Sequence, residues 1–224
     1  MPVTRSVWTI VVAAGSGARF GGAKQLELLG DRTVRQWAED AARAAGDGVV
    51  VVVPEPAPGV GLGAGEVVGG ATRSASVRNG LAALPGEVDI VLVHDAARPF
   101  ASPGLFAAVV AAVDAGADAA VPGIAVADTI KQVTADGVVV TTPDRSHLVA
   151  VQTPQAFRAD VLRKAHARGD DGTDDASLVE RMGGYVVVVP GEALNRKITV
   201  PDDLEWARAR VAAGAVAAPM AGVR

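Results

Sequence analysis

Six short apolar runs punctuate the chain: VWTIVVAA (7–14), VVVVVP (49–54), DIVLVHD (89–95), DAAVPG (118–123), LVAVQTP (148–154) and YVVVVP (185–190). They are β-branched and mostly uninterrupted, the pattern of strands covered by helices on both faces. Amphipathic stretches lie between them. TVRQWAEDAARAAG (33–46) sets Val34, Trp37, Ala38, Ala41 and Ala45 on one stripe, with Gly46 as its stop. SPGLFAAVVAAVDAG (102–116) opens with Ser102 as N-cap and Pro103 at the first helical position. Such alternation predicts a doubly wound, mostly parallel α/β sheet of Rossmann-like type, with ligands bound beyond the carboxyl ends of its strands.

One segment interrupts the rhythm. DTIKQVTADGVVVTTPDR (128–145) has two β-rich halves around Asp136-Gly137, a hairpin signal. Inserted into a βαβ series, it predicts a projecting β-hairpin arm over about 126–148. A lone two-stranded ribbon is marginal in water, so the arm is expected to pack on something, such as a second subunit. The final residues, AAGAVAAPMAGVR (212–224), lack caps and charge pattern and are expected to fray. With no long linker and no internal repeat, residues 1–224 read as one domain.

Composition narrows the function classes. Half of the residues are hydrophobic and only 4% aromatic, so Val, Ala and Leu must build the core. A formal charge of −4 gives no global attraction to nucleic acid or an anionic membrane. The absence of cysteine excludes disulfides, thiolate catalysis and Cys-based zinc sites, and accords with a reducing compartment. No apolar run approaches the roughly 18–20 residues that span a bilayer. The first apolar segment leads straight into a glycine loop and reads as a strand rather than a signal peptide, so a cytoplasmic protein is expected.

That loop, VVAAGSGARFGGAKQ (11–25), is the first candidate for chemistry. The dinucleotide fingerprint would begin at Gly15 and Gly17, but its last position falls on Phe20. The P-loop pattern fits Gly17 to Gly22, yet Ala23 precedes Lys24, and Gln25 stands where Ser or Thr should be. Gly15 and Gly17 still permit close backbone approach to an anion, and Arg19 and Lys24 supply cations. The loop therefore reads as a phosphate cradle in an unfamiliar register, its nucleotide open.

Asp95 ends the run VLVHD, where open α/β sheets bind ligands, and reads as a magnesium-facing carboxylate. His94 reads as a packed or turn histidine. GGATRSASVRNGL (69–81) brings Arg73, Ser74 and Ser76 to a helix start, consistent equally with capping and with recognition of a base or sugar. In GTDDASLVE (172–180), Thr173 as N-cap and two aspartates in the first turn account for the local pattern. NRKITVPDDL (195–204) is expected to carry Lys197 on a short strand, followed by Pro201 opening a final helix.

In order, AAGSGARF…KQ, GGATRSASV, VHDAARP, DTIK, QTPQAF, TDDA and KITVPDDL resemble the 2-C-methyl-D-erythritol 4-phosphate cytidylyltransferase family over residues 7–206. HDAARP and TPQAF are far more specific than the glycine loop. The resemblance implies a nucleotidyltransferase fold whose β-arm clasps a partner in a homodimer. It also implies cytidylyl transfer from CTP to 2-C-methyl-D-erythritol 4-phosphate, with Mg²⁺ or another divalent cation, in isoprenoid biosynthesis. Ala13, Ala14, Gly15 and Gly17 would line the nucleotide; Gly70, Arg73 and Ser76 would face cytosine and ribose; Asp95 and Ala96 would lie beside ribose and metal. Arg19, Lys24 and Lys197 would be the catalytic cations. Arg98, Thr129, Arg145, Thr153 and Thr173 match positions around the sugar phosphate, with Arg145 reaching into the neighbouring subunit's site.

Three positions depart from the family pattern: Ala23 replaces the usual proline, Ala71 an aspartate and Leu194 an acidic residue. The alternatives are a transferase of the same fold acting on another polyol phosphate, such as ribitol 5-phosphate, and a nicotinamide-binding or non-catalytic nucleotide-binding module. Against the nicotinamide reading, Glu55 lies about twice as far from the loop as the usual ~20 residues.

Overall fold

The computed structural model describes residues 5–216. The chain opens with β1 (Val7–Val12), passes the glycine loop and a single 3₁₀ turn at Lys24–Leu26, and forms a small ribbon from β2 (Leu28–Leu29) and β3 (Arg32–Thr33). Helix α1 (Val34–Arg43) is started by a capping box in which the Thr33 hydroxyl accepts from Gln36 N and the Gln36 side chain accepts from Thr33 N. Strands β4 (Gly48–Val53) and β5 (Glu66–Val68) precede α2 (Arg73–Ala83), and β6 (Ile90–Asp95) precedes α3 (Pro103–Asp114). Ser102 caps α3 and Pro103 opens it, as expected. After β7 (Ala119–Ala125) come β8 (Gln132–Val133), β9 (Val139–Thr141), β10 (Val149–Val151) and β11 (Gln155–Arg158), and then α4 (Ala159–Ala167), α5 (Asp175–Glu180), β12 (Val186–Pro190) and α6 (Pro201–Ala212).

The main sheet runs β12, β7, β11, β6, β1, β4, β5, with β10 also on β7. Strands β12–β7 and β6–β1–β4–β5 pair in parallel, whereas β10 and β11 are antiparallel to their neighbours, giving a mixed, mostly parallel sheet. The period-2 pleat divides the apolar runs between two cores. Ile10, Val50, Val52, Val91 and Val93 pack under α2, α4 and α5, while Val11, Val51, Val53, Ile90 and Leu92 pack under α1 and α3. A third cluster joins Trp37 and Phe100 to Leu204 and Ala207 of α6.

Lys197, expected on a short strand, instead lies in a stretch (191–200) with no strand or helix, because its backbone finds no neighbouring strand to pair with. Three boundaries also differ from the sequence reading. The 148–154 run ends its strand at Val151, because Gln152 and Thr153 are buried polar residues with side-chain partners elsewhere. Thr173 is exposed and is not the cap of α5: Asp174 is, accepting from Ser177 N at 2.9 Å. The stripe from Val34 stays helical only to Arg43, and the turn begins at Ala44, ahead of Gly46.

The hairpin forms as β8 and β9, shorter than its apolar halves, with Gly137 at φ +81° and its N–H bonded to the Thr134 carbonyl. All residues from 127 to 142 are exposed. The extension leaves the sheet from β7 and returns as β10, Val149 pairing with Ala125. Of the tail expected to fray, Ala212 still belongs to α6, and residues 217–224 lie outside the described residues.

Candidate active site

Parallel strands deliver their carboxyl ends to one edge of the sheet, and β1 and β6 end there side by side, with Val12 opposite Asp95. A cavity of about 490 Å³ opens at this edge. Its walls include the end of β1, the glycine loop, the Lys24 turn, the start of α2, residues 95–97 and Lys197. Thus Ala13, Ala14, Gly15, Gly17, Arg19, Lys24, Gly70, Arg73, Ser76, Asp95, Ala96 and Lys197 converge on one space.

The glycine loop is shaped to receive an anion. Gly17 adopts φ +67°, and a Cβ there would lie 1.9 Å from the Gly22 carbonyl oxygen, so this turn requires glycine. Among the described residues the N–H groups of Gly15, Ser16 and Gly17 meet no protein acceptor. Free backbone donors in a concave turn form a nest for negative charge. Side chains reinforce it: Arg19, Lys24, Arg73 and Lys197 line the cavity, and Asp95 is the one carboxylate among the described lining residues. Burial, with Lys197 and Arg19 close by, holds the Lys24 ammonium below the ordinary lysine value.

Asp95 organises the floor. Its Oδ2 accepts from Lys197 Nζ at 2.6 Å, and its Oδ1 accepts from Arg73 at 3.3 Å. Burial alone would raise the carboxyl, but Arg73 and Lys197 outweigh it and hold Asp95 well below the usual carboxylate range. Arg73 also donates to Asp175, which is fully buried, at 2.7 Å. Despite the cost of its burial, the carboxylates of Asp95 and Asp175 raise the guanidinium above its ordinary value.

Ser76 is only partly available to a ligand, because its hydroxyl donates to the Thr72 carbonyl and accepts from Gly70 N. The other predicted residues stand apart from the cavity lining. Thr153 is buried, its Oγ1 accepting from Asp95 N and its hydroxyl donating to His94 Nδ1. Arg98 donates to the carbonyls of Asn195 and Val151. Thr129 and Arg145 lie on the exposed extension, where Arg145 bonds the Ala127 carbonyl, and Thr173 lies in the turn before α5.

Sequence reasoning gave His94 no role, yet its Nε2–H donates to the Arg98 carbonyl at 3.1 Å while Nδ1 faces Thr153. It thereby supports the residue that holds the Asp95 backbone. Gln25, buried in the cavity wall, was visible in sequence only as a failed P-loop position. Of the departures, Ala71 lines this cavity, whereas Leu194 faces a separate apolar hollow beside Trp37 and Phe100.

The donor set bears on a divalent cation. Among the described residues no cluster of three His, Cys, Asp or Glu side chains could hold a metal. A single carboxylate fits Mg²⁺ bound mainly through substrate phosphates, the usual arrangement where the ion arrives with a nucleotide.

Comparison with known proteins agrees with this geometry. The family model for 2-C-methyl-D-erythritol 4-phosphate cytidylyltransferase matches residues 7–213. The chain is 47% identical over 213 residues to the 2-C-methyl-D-erythritol 4-phosphate cytidylyltransferase of Nocardia farcinica, covering 90% of this chain and 92% of that protein. It is 45% identical over 230 residues to the bifunctional enzyme IspD/IspF of Nitrobacter winogradskyi, covering 95% of this chain and 58% of that protein. The chain thus spans little more than half the length of such bifunctional relatives. The crystal structure of 2-C-methyl-D-erythritol 4-phosphate cytidylyltransferase from Thermus thermophilus superposes with a TM-score of 0.77 at 41% identity, covering 91% of this chain and 98% of that one. With residues 7–213 matched by the family model and the fold shared with its solved members, the chain belongs to the 2-C-methyl-D-erythritol 4-phosphate cytidylyltransferase family.

Proposed function

We propose that the protein transfers a cytidylyl group from CTP to 2-C-methyl-D-erythritol 4-phosphate, releasing pyrophosphate and forming 4-diphosphocytidyl-2-C-methyl-D-erythritol. Beyond family membership, one observation carries the reading: four cations and a glycine nest surround a cavity with a single carboxylate. Such an excess of positive charge suits a ligand with several negative charges, as a nucleoside triphosphate has.

A phosphate oxygen of the acceptor attacks the α-phosphorus of CTP in line. The new P–O bond forms as the bond to the bridging oxygen breaks, and its electron pair leaves with pyrophosphate. A phosphate monoester is largely dianionic at neutral pH, with a second pKa of about 6, so no strong base is required. The work lies in holding two polyanions together and in stabilising charge on the α-phosphoryl oxygens. Lys24 and Lys197 are the point charges placed for this, Arg19 a third cation at the loop, and the nest holds the outer phosphates. Asp95 and the triphosphate oxygens would hold Mg²⁺, which would supply further neutralisation of phosphate charge. Ala13, Ala14, Gly70 and Arg73 frame the nucleoside side.

Thr129 and Arg145 are exposed on the extension and absent from the cavity lining of their own chain, and this supports an acceptor pocket completed by the arm of a second copy in a homodimer. Exposed apolar residues on and beside the extension suit such an interface, with Val138 63%, Val140 60% and Val139 54% exposed. A cytoplasmic setting completes the proposal. The absence of cysteine accords with it, and no helix among the described residues is long and apolar enough to cross a membrane. Pyrophosphate release with CTP and Mg²⁺, measured across 2-C-methyl-D-erythritol 4-phosphate, ribitol 5-phosphate and no acceptor, tests the reading. Release with ribitol 5-phosphate in preference to the methylerythritol phosphate would reassign the acceptor.

A further inference from the structure

Lys197 sits on a stretch that has no ladder to hold it: residues 191–200 belong to no strand or helix. A backbone without regular pairing is placed by whatever side chains bond it. Downstream of Lys197 the anchors are Ile198 N to the Ala97 carbonyl at 2.8 Å, and the Asp203 carboxylate accepting from Thr199 N and Val200 N. Upstream the anchors are Arg98, which donates to the Asn195 carbonyl at 2.8 Å, and a pair of buried amides, Gln152 and Asn195, 43 residues apart in sequence.

Gln152 Nε2 donates to the Glu192 carbonyl at 2.9 Å and to the Asn195 carbonyl at 3.2 Å, and its Oε1 accepts from Glu192 N at 3.0 Å. One side-chain amide therefore pairs with both backbone groups of Glu192. Asn195, fully buried, donates from Nδ2 to the Thr153 carbonyl at 2.8 Å and to Gln152 Oε1 at 3.3 Å. Thr153 in turn accepts from Asp95 N at 3.0 Å through its hydroxyl. The same few residues thus hold the backbone of Asp95 and the approach to Lys197, whose side chains meet at 2.6 Å.

We infer that Gln152 and Asn195 are positioning residues for Lys197, forming an amide clasp that sets where its ammonium stands relative to Asp95 and the α-phosphate. Neither side chain is among the residues lining the cavity, and both are spent on protein partners. This rests on the proposed cytidylyl transfer and on Lys197 acting in it. Gln152 directly follows Val151, the last residue of β10, so the clasp also joins the foot of the arm to the catalytic lysine.

The test is a double-mutant cycle on full-length protein, with Gln152→Glu and Asn195→Ser each made alone and combined with Lys197→Ala. Gln152→Glu keeps the size but loses the Nε2 donor; Asn195→Ser shortens the side chain and removes its bonds. Each single variant is expected to lower kcat about 10- to 100-fold while the KM for CTP changes less than about threefold, the mark of an interaction expressed in the transition state. In the Lys197→Ala background the same changes should cost under about twofold, because groups acting as one unit are not additive. Losses that repeat in full without Lys197 would overturn the clasp as a positioning device, as would wild-type kcat in both single variants. A wild-type protein that releases no pyrophosphate would instead overturn the proposed function, so the two failures are distinguishable.

Discussion

Lys197 Nζ lies 2.6 Å from Asp95 Oδ2, a contact spanning 102 residues that joins the end of β6 to the segment before α6. It places an ammonium at the mouth of the parallel strands, where the proposed transfer would bring the α-phosphate. Replacing Lys197 by alanine leaves Arg73 as the cation still bonded to Asp95. Turnover is expected to fall by about 10²–10³, the loss typical of one positioned charge donor. Arginine should not restore it, since a planar fork does not stand where a compact ammonium did. Steady-state pyrophosphate release measures both variants.

Lys24, which lines the same cavity, faces the same test. Its ammonium is half-buried beside Lys197 and Arg19, so its charge is costly in the free protein and useful once a polyanion binds. Lys24→Ala is expected to lower kcat by about 10²–10³ or more with the fold intact. Turnover near that of wild type would remove Lys24 from the transfer step.

Gly17→Ala tests the nest without touching a charge. Its left-handed backbone and the 1.9 Å approach of an added Cβ to the Gly22 oxygen force the loop to rearrange. Affinity for CTP, measured by titration calorimetry, is expected to fall about tenfold or more, and the melting temperature of the free protein to drop by several degrees without loss of the fold. Unchanged affinity would place the triphosphate elsewhere.

Arg145 tests the shared site. Arg145→Ala is expected to raise the KM for the sugar phosphate more than that for CTP. Mixed dimers of one Lys24→Ala and one Arg145→Ala subunit should recover part of the activity, because one of their two sites would be whole. If mixing restores nothing, each chain supplies its own arginine.

His94 predicts a pH dependence of stability. Burial pushes its imidazole down to about 4, from an ordinary value of about 6.5. As pH falls below the ordinary value, the unfolded chain takes up a proton that the native state refuses. The stability contributed by neutral His94 is therefore complete above about pH 6.5 and drains away toward pH 4. Thermal melts at pH 7.5 and 5 should show a larger loss for wild type than for His94→Gln. An equal loss would mean that His94 titrates normally in the folded protein.

The sequence exposed what depends on local chemistry. Uninterrupted β-branched runs marked β1, β4, β6 and β7, but β10 is exposed and β12 only partly buried, against the expected cover on both faces. Ser102 and Pro103 marked a helix start, and the glycine pair with Arg19 and Lys24 marked one wall of the cavity. It concealed what depends on distant partners. Gln155–Arg158 is too short and too polar to announce a strand, and forms one because β6 and β7 leave a gap that an antiparallel segment fills. Thr173 and Asp174 are both good caps by type, and the choice fell to Asp174, whose second oxygen also accepts from Gln155. The supporting roles of His94 and Thr153 rest on a contact across 59 residues that no spacing rule reveals.

The extension that departs at Ala125 and returns at Val149 has both ends on a single rung of one ladder. Such an insertion behaves as a cassette: it can be lengthened, trimmed or exchanged with no strand beneath it changing register. The arm can therefore be exchanged without rebuilding the sheet beneath it. A transplanted arm that preserves Gln152 should leave the nucleotide cavity intact, while whatever Thr129 and Arg145 contribute travels with the piece removed.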